Sequence, residues 1–384
     1  MLRKYGIILA DMGRSGFDQY YDEAVEPGKR ERAYAWATAI GLQDVDGLKP
    51  SKHLLATAKR HIEGEITQEE ARRIVDEYYE TKDGHDLPKD TKEADRVAAR
   101  IVAVINSPTF VFSPAYLIGL HEKIFEGIFP HAGKIREVEL TKHEDVLNGA
   151  SVEYAPSFMV MKMLEYDFDK EAKFGYKGIS DDAFVAHFSD FIAKIWQTHP
   201  FREGNTRTTA VFAIKYLRTK GFNVTNDLFA RESWCFRNAL VRANYENRQL
   251  KVEKTTAYLE DFFKVLLFGE EIELKNRFLR IGLEYGSSNA EKVADLHRRK
   301  DDYRMGGNTG GNVGGNRLPI LPVQQQEVCR LMLKNPSITA LQIAELQKVR
   351  VNTIEKRIAV LRKKGAIVRE GGTRGVWKVL WHLR

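Results

Sequence analysis

The sequence predicts a mainly α-helical protein: a helical bundle interrupted by one β-hairpin, followed by a small α+β unit. Three observations carry this reading. The stretch "DDAFVAHFSDFIAKIW" sets Phe184, Phe188, Phe191, Ile192 and Ile195 at helical spacing. "KIREVELTKHEDVLNGASVEYAP" alternates Ile135, Val138 and Leu140, then Val152 and Tyr154, across Asn148-Gly149, the signature of a hairpin at about 137–156. The C-terminal end shows three short helical patches and then a strand-turn-strand, "AIVREGGTRGVWKVL".

Residues 1–95 form the first segment, with helical patches at Arg30–Leu42, Ser51–Glu63 and Thr67–Glu80. The last opens on "TQEE", a capping box in which Thr67 and Glu70 each satisfy a free backbone N–H. Residues 96–275 carry the longer amphipathic helices, among them "SPAYLIGLHEKIFEGIF" and "TRTTAVFAIKYLRTKG", the latter stopping at Gly221. Residues 276–316 hold a helix and the Gly-Gly-Asn repeats of Met305 to Arg317, a linker composition that cannot bury a core. Residues 317–384 complete the chain with the order helix-helix-helix-strand-strand of a winged helix-turn-helix.

The 384 residues suit two or three domains. Only Cys235 and Cys329 occur, in no metal-like spacing, which argues against a disulfide framework or a zinc site. The apolar run before Asp11 is shorter than the ~7–15 residues of a secretory core, and none reaches the ~20 of a membrane span. The expectation is a cytoplasmic protein. Its charge is uneven: from Arg317 to Arg384, 14 Lys and Arg stand against 4 Asp and Glu, a net +10 in a chain of +7.

One stretch, "HPFREGNTRT" from His199 to Thr208, joins two helical segments. Pro200 suits a turn, and the next helix begins at Asn205 or Thr206. Its unpaired N–H groups and dipole attract an anion, and Gly204 lets phosphate oxygens come close. Arg207 in the first turn is favoured there if it faces that anion. Glu203 suits a Mg²⁺ shared with phosphate, His199 a general base, and Phe201 an inward anchor. The bland alternative is a polar surface loop.

The ordered string resembles the signature of the Fic family, HxFx(D/E)GNGRxxR, matched here by His199, Phe201, Glu203, Gly204, Asn205, Thr206 and Arg207. "LHEKIFEGIFPHAGKIRE" resembles the family's upstream helix and its entry into a flap. The resemblance extends over roughly 96–275. It implies a helical bundle whose hairpin flap docks a target protein by strand addition. It also implies Mg²⁺-dependent transfer of AMP from ATP to a protein Ser, Thr or Tyr hydroxyl. His199 would be the base, Glu203 the metal ligand, and Gly204, Asn205 and Arg207 the phosphate cradle. "FRNALVRANY" resembles the helix lining the nucleobase pocket, which makes Asn244 and Arg237 candidates. Asn244 could equally cap its helix.

The chain departs from the pattern in two places. Thr206 replaces a glycine, and Ala210 stands where the motif's last arginine grips the γ-phosphate. This leaves room for another donor, for a substitute cation such as Arg237, or for a weakly active or inactive domain. The N-terminal segment resembles the inhibitory helix of family members, carried on the same chain or on an antitoxin partner. One alignment places Asp46-Gly47 at the inhibitory acid, a competing one Glu63-Gly64. At the basic end, Asn352, Thr353, Lys356 and Arg357 fall on the expected recognition helix, and Arg369 and Arg374 in the wing, spaced for DNA phosphates. A protein-contact module is the alternative. Two functions follow: an adenylyltransferase with a localising module, or a DNA-binding regulator that senses a nucleotide. Either could form a homo-oligomer.

Overall fold

A computed structural model of the chain describes residues 17, 20, 26–222, 224, 228–281, 323–363, 366–370 and 375–379. Four helices lead in: α1 (Pro27–Gly41), α2 (Lys52–Glu63), α3 (Gln68–Tyr78) and the single turn α4 (Lys82–His85). Ser51 caps α2 through its side chain, and Thr67 with Glu70 forms the expected capping box on α3. The next helices are α5 (Lys89–Asn106), α6 (Pro114–Phe125), α7 (Val160–Ala172), α8 (Asp181–Thr198) and α9 (Asn205–Thr219). The body closes with α10 (Leu228–Arg231), α11 (Ser233–Asn244), α12 (Ala257–Phe268) and α13 (Asn276–Leu279).

α9 is the axis of this body. Every residue from Asn205 to Leu217 is buried, as expected of a helix surrounded by others. Its one buried lysine is accommodated by carbonyls: Lys215 donates to those of Val104 (2.9 Å) and Ser107 (2.7 Å). Aromatic rings fill the space between α9 and its neighbours, for example Phe112 against Tyr216 at 4.7 Å and Phe168 edge-on to Phe212 at 5.5 Å. Leu54, Ile62 and Val75 of the leading helices join the same core as Phe212 and Phe263. The N-terminal helices are therefore packed into the body, and Gly41 lies so close to Ala230 that a Cβ would stand 2.2 Å from its Cα.

The expected hairpin takes another form. No strand occurs among the described residues of 137–156; the segment is irregular around a single 3₁₀ turn, Asp145–Leu147, with Asn148 left-handed at φ 53°. A turn survives, because Glu144 N–H donates to the Ala150 carbonyl and Gly149 N–H to that of Glu144. The ladder is replaced by one buried side chain. The Arg136 guanidinium donates to the carbonyls of Val138 (2.8 Å) and Ala155 at the two ends of the segment, and to that of His199 (2.7 Å) in the neighbouring loop.

Beyond the body, α14 (Val323–Lys334), α15 (Ala340–Gln347) and α16 (Val351–Lys363) precede β1 (Ile367–Glu370) and β2 (Val376–Val379). The strands pair antiparallel with Ile367 opposite Val379. Val328, Met332, Ile343, Ile354, Leu361, Ile367 and Trp377 make a second, separate core. The element order is the one the sequence predicts. The glycine-rich stretch Met305–Arg317 lies outside the described residues. Among the described residues, no helix is long and apolar enough to cross a membrane.

Candidate active site

The loop from His199 to Gly204 joins the C-terminus of α8 to the N-terminus of α9. His199 ends α8 in the left-handed region, φ 48°. Asn205 staples the loop shut: its Oδ1 accepts from Phe201 N–H (3.0 Å), and its Nδ2 donates to the Phe201 carbonyl (2.7 Å). Phe201 points inward as expected, 1% exposed and stacked at 3.7 Å on His121 of α6. His121 receives Gly133 N–H on Nδ1 (2.9 Å), so its Nε2–H donates to the Glu203 carbonyl (3.1 Å). Burial lowers the His121 pKa to about 4 and keeps this donor-acceptor pattern fixed. Gly204 sits at φ 74° with Phe125 so near that a Cβ would lie 2.4 Å from its Cε2. Only glycine fits there, and the reason is as much packing as the close approach of a ligand.

His199 is 2% exposed. Its Nδ1–H points to the Trp196 carbonyl at 3.3 Å, and Tyr154 stacks on the ring at 4.0 Å. Desolvation, with the nearby Lys142 ammonium, holds its pKa well below the usual histidine value. The neutral ring leaves Nε2 as a lone-pair acceptor, and that atom is buried without a partner. It borders a crevice of about 10 Å³ lined by Asp46, Lys142, Glu144, Trp196, Gly204, Asn205, Thr206 and Arg237. That is room for about one water molecule. At its floor the first turn of α9 lacks a side-chain cap, and its leading N–H groups are the unpaired donors of a helix start. Thr206 is turned away, its Oγ1 accepting from Trp196 Nε1 at 3.0 Å.

The charged side chains are already paired. Arg207, 2% exposed, meets Asp46 Oδ2 at 2.8 Å, Glu93 Oε1 at 2.7 Å and Gln43 Oε1 at 3.0 Å, and lies 4.7 Å over the Phe125 ring. Arg237 holds the buried carboxylate of Glu144 with two hydrogen bonds, at 2.6 and 3.1 Å. Glu203 faces Lys142 at 3.6 Å, its carboxylate more than half exposed. Among the described residues no group of three or more His, Cys, Asp or Glu could hold a metal by itself. A lone, accessible carboxylate fits a magnesium ion whose other ligands are phosphate and water oxygens.

Several expected residues lie elsewhere. Asn244 does not reach the crevice, because its amide donates to the carbonyls of Ala193 and Leu240 and ties α11 to α8. Glu63 binds Lys29 (2.7 Å) and the Tyr20 hydroxyl (2.8 Å) on the N-terminal helices, whereas Asp46 lines the crevice. Ala210 is fully buried. On α16, Asn352 is exposed, but Thr353 and Arg357 are each 1% exposed within the C-terminal unit, Arg357 donating to Gln347. Lys356 faces the helical body. These three are therefore not on a surface free for DNA. Arg369 lies over the Trp377 ring, and Arg374 is outside the described residues. Sequence reasoning missed Lys142, Glu144, Glu93 and Gln43. The two flap residues are spaced i, i+2, which places them on one side of an extended segment, a signal available in "TKHED".

Comparison with known proteins bears on the same region. Residues 111–217 match the Fic/DOC family. The chain is similar to a protein adenylyltransferase of Bartonella henselae, 24% identical over 142 residues, covering 35% of this chain and 26% of that protein. It is also similar to the protein adenylyltransferase VbhT of Bartonella schoenbuchensis, 26% identical over 133 residues, covering 34% and 26%. The chain thus spans about a quarter of the length of these relatives. Among solved structures, the N-terminal FIC domain of Bep8 from Bartonella sp. 1-1C aligns at 19% identity and TM-score 0.36, covering 48% of this chain and 88% of that one. BepC from Bartonella tribocorum with bound AMPPNP aligns at 21% and 0.34, covering 48% and 90%. Residues 111–217, which contain His121, the flap segment, the His199 loop and most of α9, are a Fic/DOC domain.

Proposed function

We propose that the chain is a protein adenylyltransferase, moving AMP from ATP to a Ser, Thr or Tyr hydroxyl of a protein target. The observation that carries this is the buried, unpartnered Nε2 of a neutral His199, beside the open N-terminus of α9. A target hydroxyl oxygen attacks the α-phosphorus while its proton passes to Nε2. The bond to the leaving pyrophosphate breaks, and the electron pair departs with it. The N–H groups of the first α9 turn receive the phosphate oxygens. Glu203 would hold Mg²⁺ jointly with phosphate oxygens, and that ion would offset the charge on the departing pyrophosphate.

The names of the relatives support this chemistry, and the irregular segment 137–156 beside His199 is where a target could dock. Asp46 on Arg207 supports an inhibitory role for the N-terminal helices, supplied by this chain itself. Residues 317–384 are read as a winged-helix unit on their element order. A second reading, a nucleotide sensor with little transfer activity, rests on buried Ala210 and on Arg207 being held by Asp46, Glu93 and Gln43.

The test is incubation of the protein and a His199→Ala variant with Mg²⁺ and α-labelled ATP, GTP, UTP and CTP. Label from ATP in the wild type alone is expected. Measurable binding without label from any nucleotide would select the sensor, and label that persists in His199→Ala would refute the base.

A further inference from the structure

The net positive charge of the C-terminal unit invites a nucleic-acid partner, but Arg350 and Lys356, at the start of α16, are disposed otherwise. Lys356 of α16 stands 3.5 Å from the Asp181 carboxylate at the first turn of α8, and 4.5 Å over the ring of Phe268 at the end of α12. Arg350, just before α16, lies 5.7 Å over Phe184 and 5.6 Å over Phe222. Its stem fits against Gly221, where a Cβ would be 3.5 Å from Arg350 Cγ. From α14, Gln325 Nε2 donates to the Gly269 carbonyl at 3.0 Å, an orphan acceptor at the end of α12. Glu327 reaches Arg30 of α1 at 3.9 Å.

Two helices of the unit thus meet one end of the body, where α8 begins and α9 and α12 finish. The chemistry is matched: a carboxylate and three aromatic faces receive two cations. The Asp181 side chain is 4% exposed, so the contact closes over it. What α16 leaves to solvent near its start includes Glu355, a charge that repels phosphate. His199 lies at the other end of α8, whose 18 residues span ~27 Å, so this surface is remote from the crevice.

We propose that the Arg350–Lys356 face is a docking surface for the chain's own helical body, and that it serves this purpose in place of nucleic-acid recognition. Because both partners belong to one chain, the contact forms at an effective concentration on the order of mM, and individually weak contacts suffice.

The test uses the full chain with spin labels at Lys173→Cys and Leu333→Cys; both native cysteines are buried. Pulsed dipolar spectroscopy should give one narrow distance distribution, unchanged by duplex DNA. Lys356→Glu with Arg350→Glu should broaden it. Adding Asp181→Lys to Lys356→Glu should restore it, and this swap separates lost docking from lost folding. A broad distribution in the wild type overturns the proposal. So does a wild type that binds duplex DNA with a steep salt dependence abolished by Lys356→Glu.

Discussion

Replacing Asp46 with Asn removes one charge from the crevice and keeps the shape. Its partner Arg207 is 2% exposed, in an ion pair with Asp46 at 2.8 Å and hydrogen-bonded to Glu93 (2.7 Å) and Gln43 (3.0 Å). Two unit charges ~4 Å apart at an effective dielectric near 20 attract by about 4 kcal/mol. The Asp46 side chain is 36% exposed, and solvent screening reduces this to about 1–2 kcal/mol. Under the proposed function, an incoming phosphate would displace that interaction. Asp46→Asn should therefore tighten ATP binding about 5–30-fold, since each 1.4 kcal/mol is tenfold. Arg207 stays matched by Glu93, so the fold should hold. Titration calorimetry of ATP gives the affinity, and auto-modification with α-labelled ATP gives the rate. The decisive arm is a double-mutant cycle with Arg207→Lys. A change below twofold would refute the reasoning, as would an equal gain in the Arg207→Lys background.

Three further outcomes follow from the geometry. Gly204→Ala places a Cβ 2.4 Å from Phe125 at φ 74°; overpacking and the left-handed backbone should cost about 2–4 kcal/mol, read from the urea midpoint. Phe125→Leu in the same chain should recover part of it. Glu144→Gln leaves the Arg237 guanidinium without its buried counter-charge, a loss of about 3–5 kcal/mol, with faster hydrogen exchange at 144–150. His61 and His121 have pKa values lowered to about 4 by burial, against ~6.5 unfolded. The folded chain binds fewer protons, so their stabilisation is complete above pH 6.5 and is lost as pH falls from 6.5 towards 4, by up to about 3 kcal/mol each. Urea unfolding at pH 7.5 and pH 5 checks this, and equal stability at both would contradict it.

Features written in adjacent residues were legible in the sequence. The Thr67–Glu70 capping box, the stop of α9 near Gly221 and the inward Phe201 each depend on a few neighbours along the chain. The loop geometry, with Phe201 inward and a helix starting at Asn205, was legible for the same reason. Pairings across long sequence separations were not. Gln43 meets Arg207 164 positions away, and Glu144 meets Arg237 93 positions away. The hairpin expectation rested on alternation and Asn148-Gly149, and the turn formed; the two ends of the segment are joined by the Arg136 guanidinium, on the carbonyls of Val138 and Ala155, and not by a strand ladder. Asn244 was ambiguous because a buried amide facing a ligand and one tying two helices look alike in one dimension. On α16, a count of charge could not tell cations facing solvent from cations facing Phe268 and Asp181.

The three ion pairs at the crevice differ in a way that bears on the missing arginine at Ala210. Two of them contain a partly exposed member: Asp46 on Arg207, and Glu203 with Lys142. These can exchange sign for sign, with phosphate oxygens taking Asp46's place on Arg207 and a divalent cation taking Lys142's place on Glu203. Asp46 is 36% exposed and Glu203 56% exposed, so each displaced partner stays within reach of water and only screened interactions are given up. The third pair is different. Glu144 is 1% exposed and both its oxygens are bound by Arg237, so freeing that guanidinium would strand a buried carboxylate at a cost of about 3–5 kcal/mol. Arg237 is thus a poor substitute for the absent arginine, and it acts instead as an anchor that fixes the flap beside His199. Lys142, which Glu203 would release on taking a metal, is a second cation in this crevice, beside Arg207, that could reach a phosphate without leaving a buried charge behind. Lys142→Met should therefore weaken ATP binding in the presence of Mg²⁺ by about fivefold or more, the ~1 kcal/mol of a partly exposed charge contact, while Arg237→Gln should act mainly on flap order. Equal losses in ATP affinity from the two substitutions would show that the pairs exchange without regard to burial.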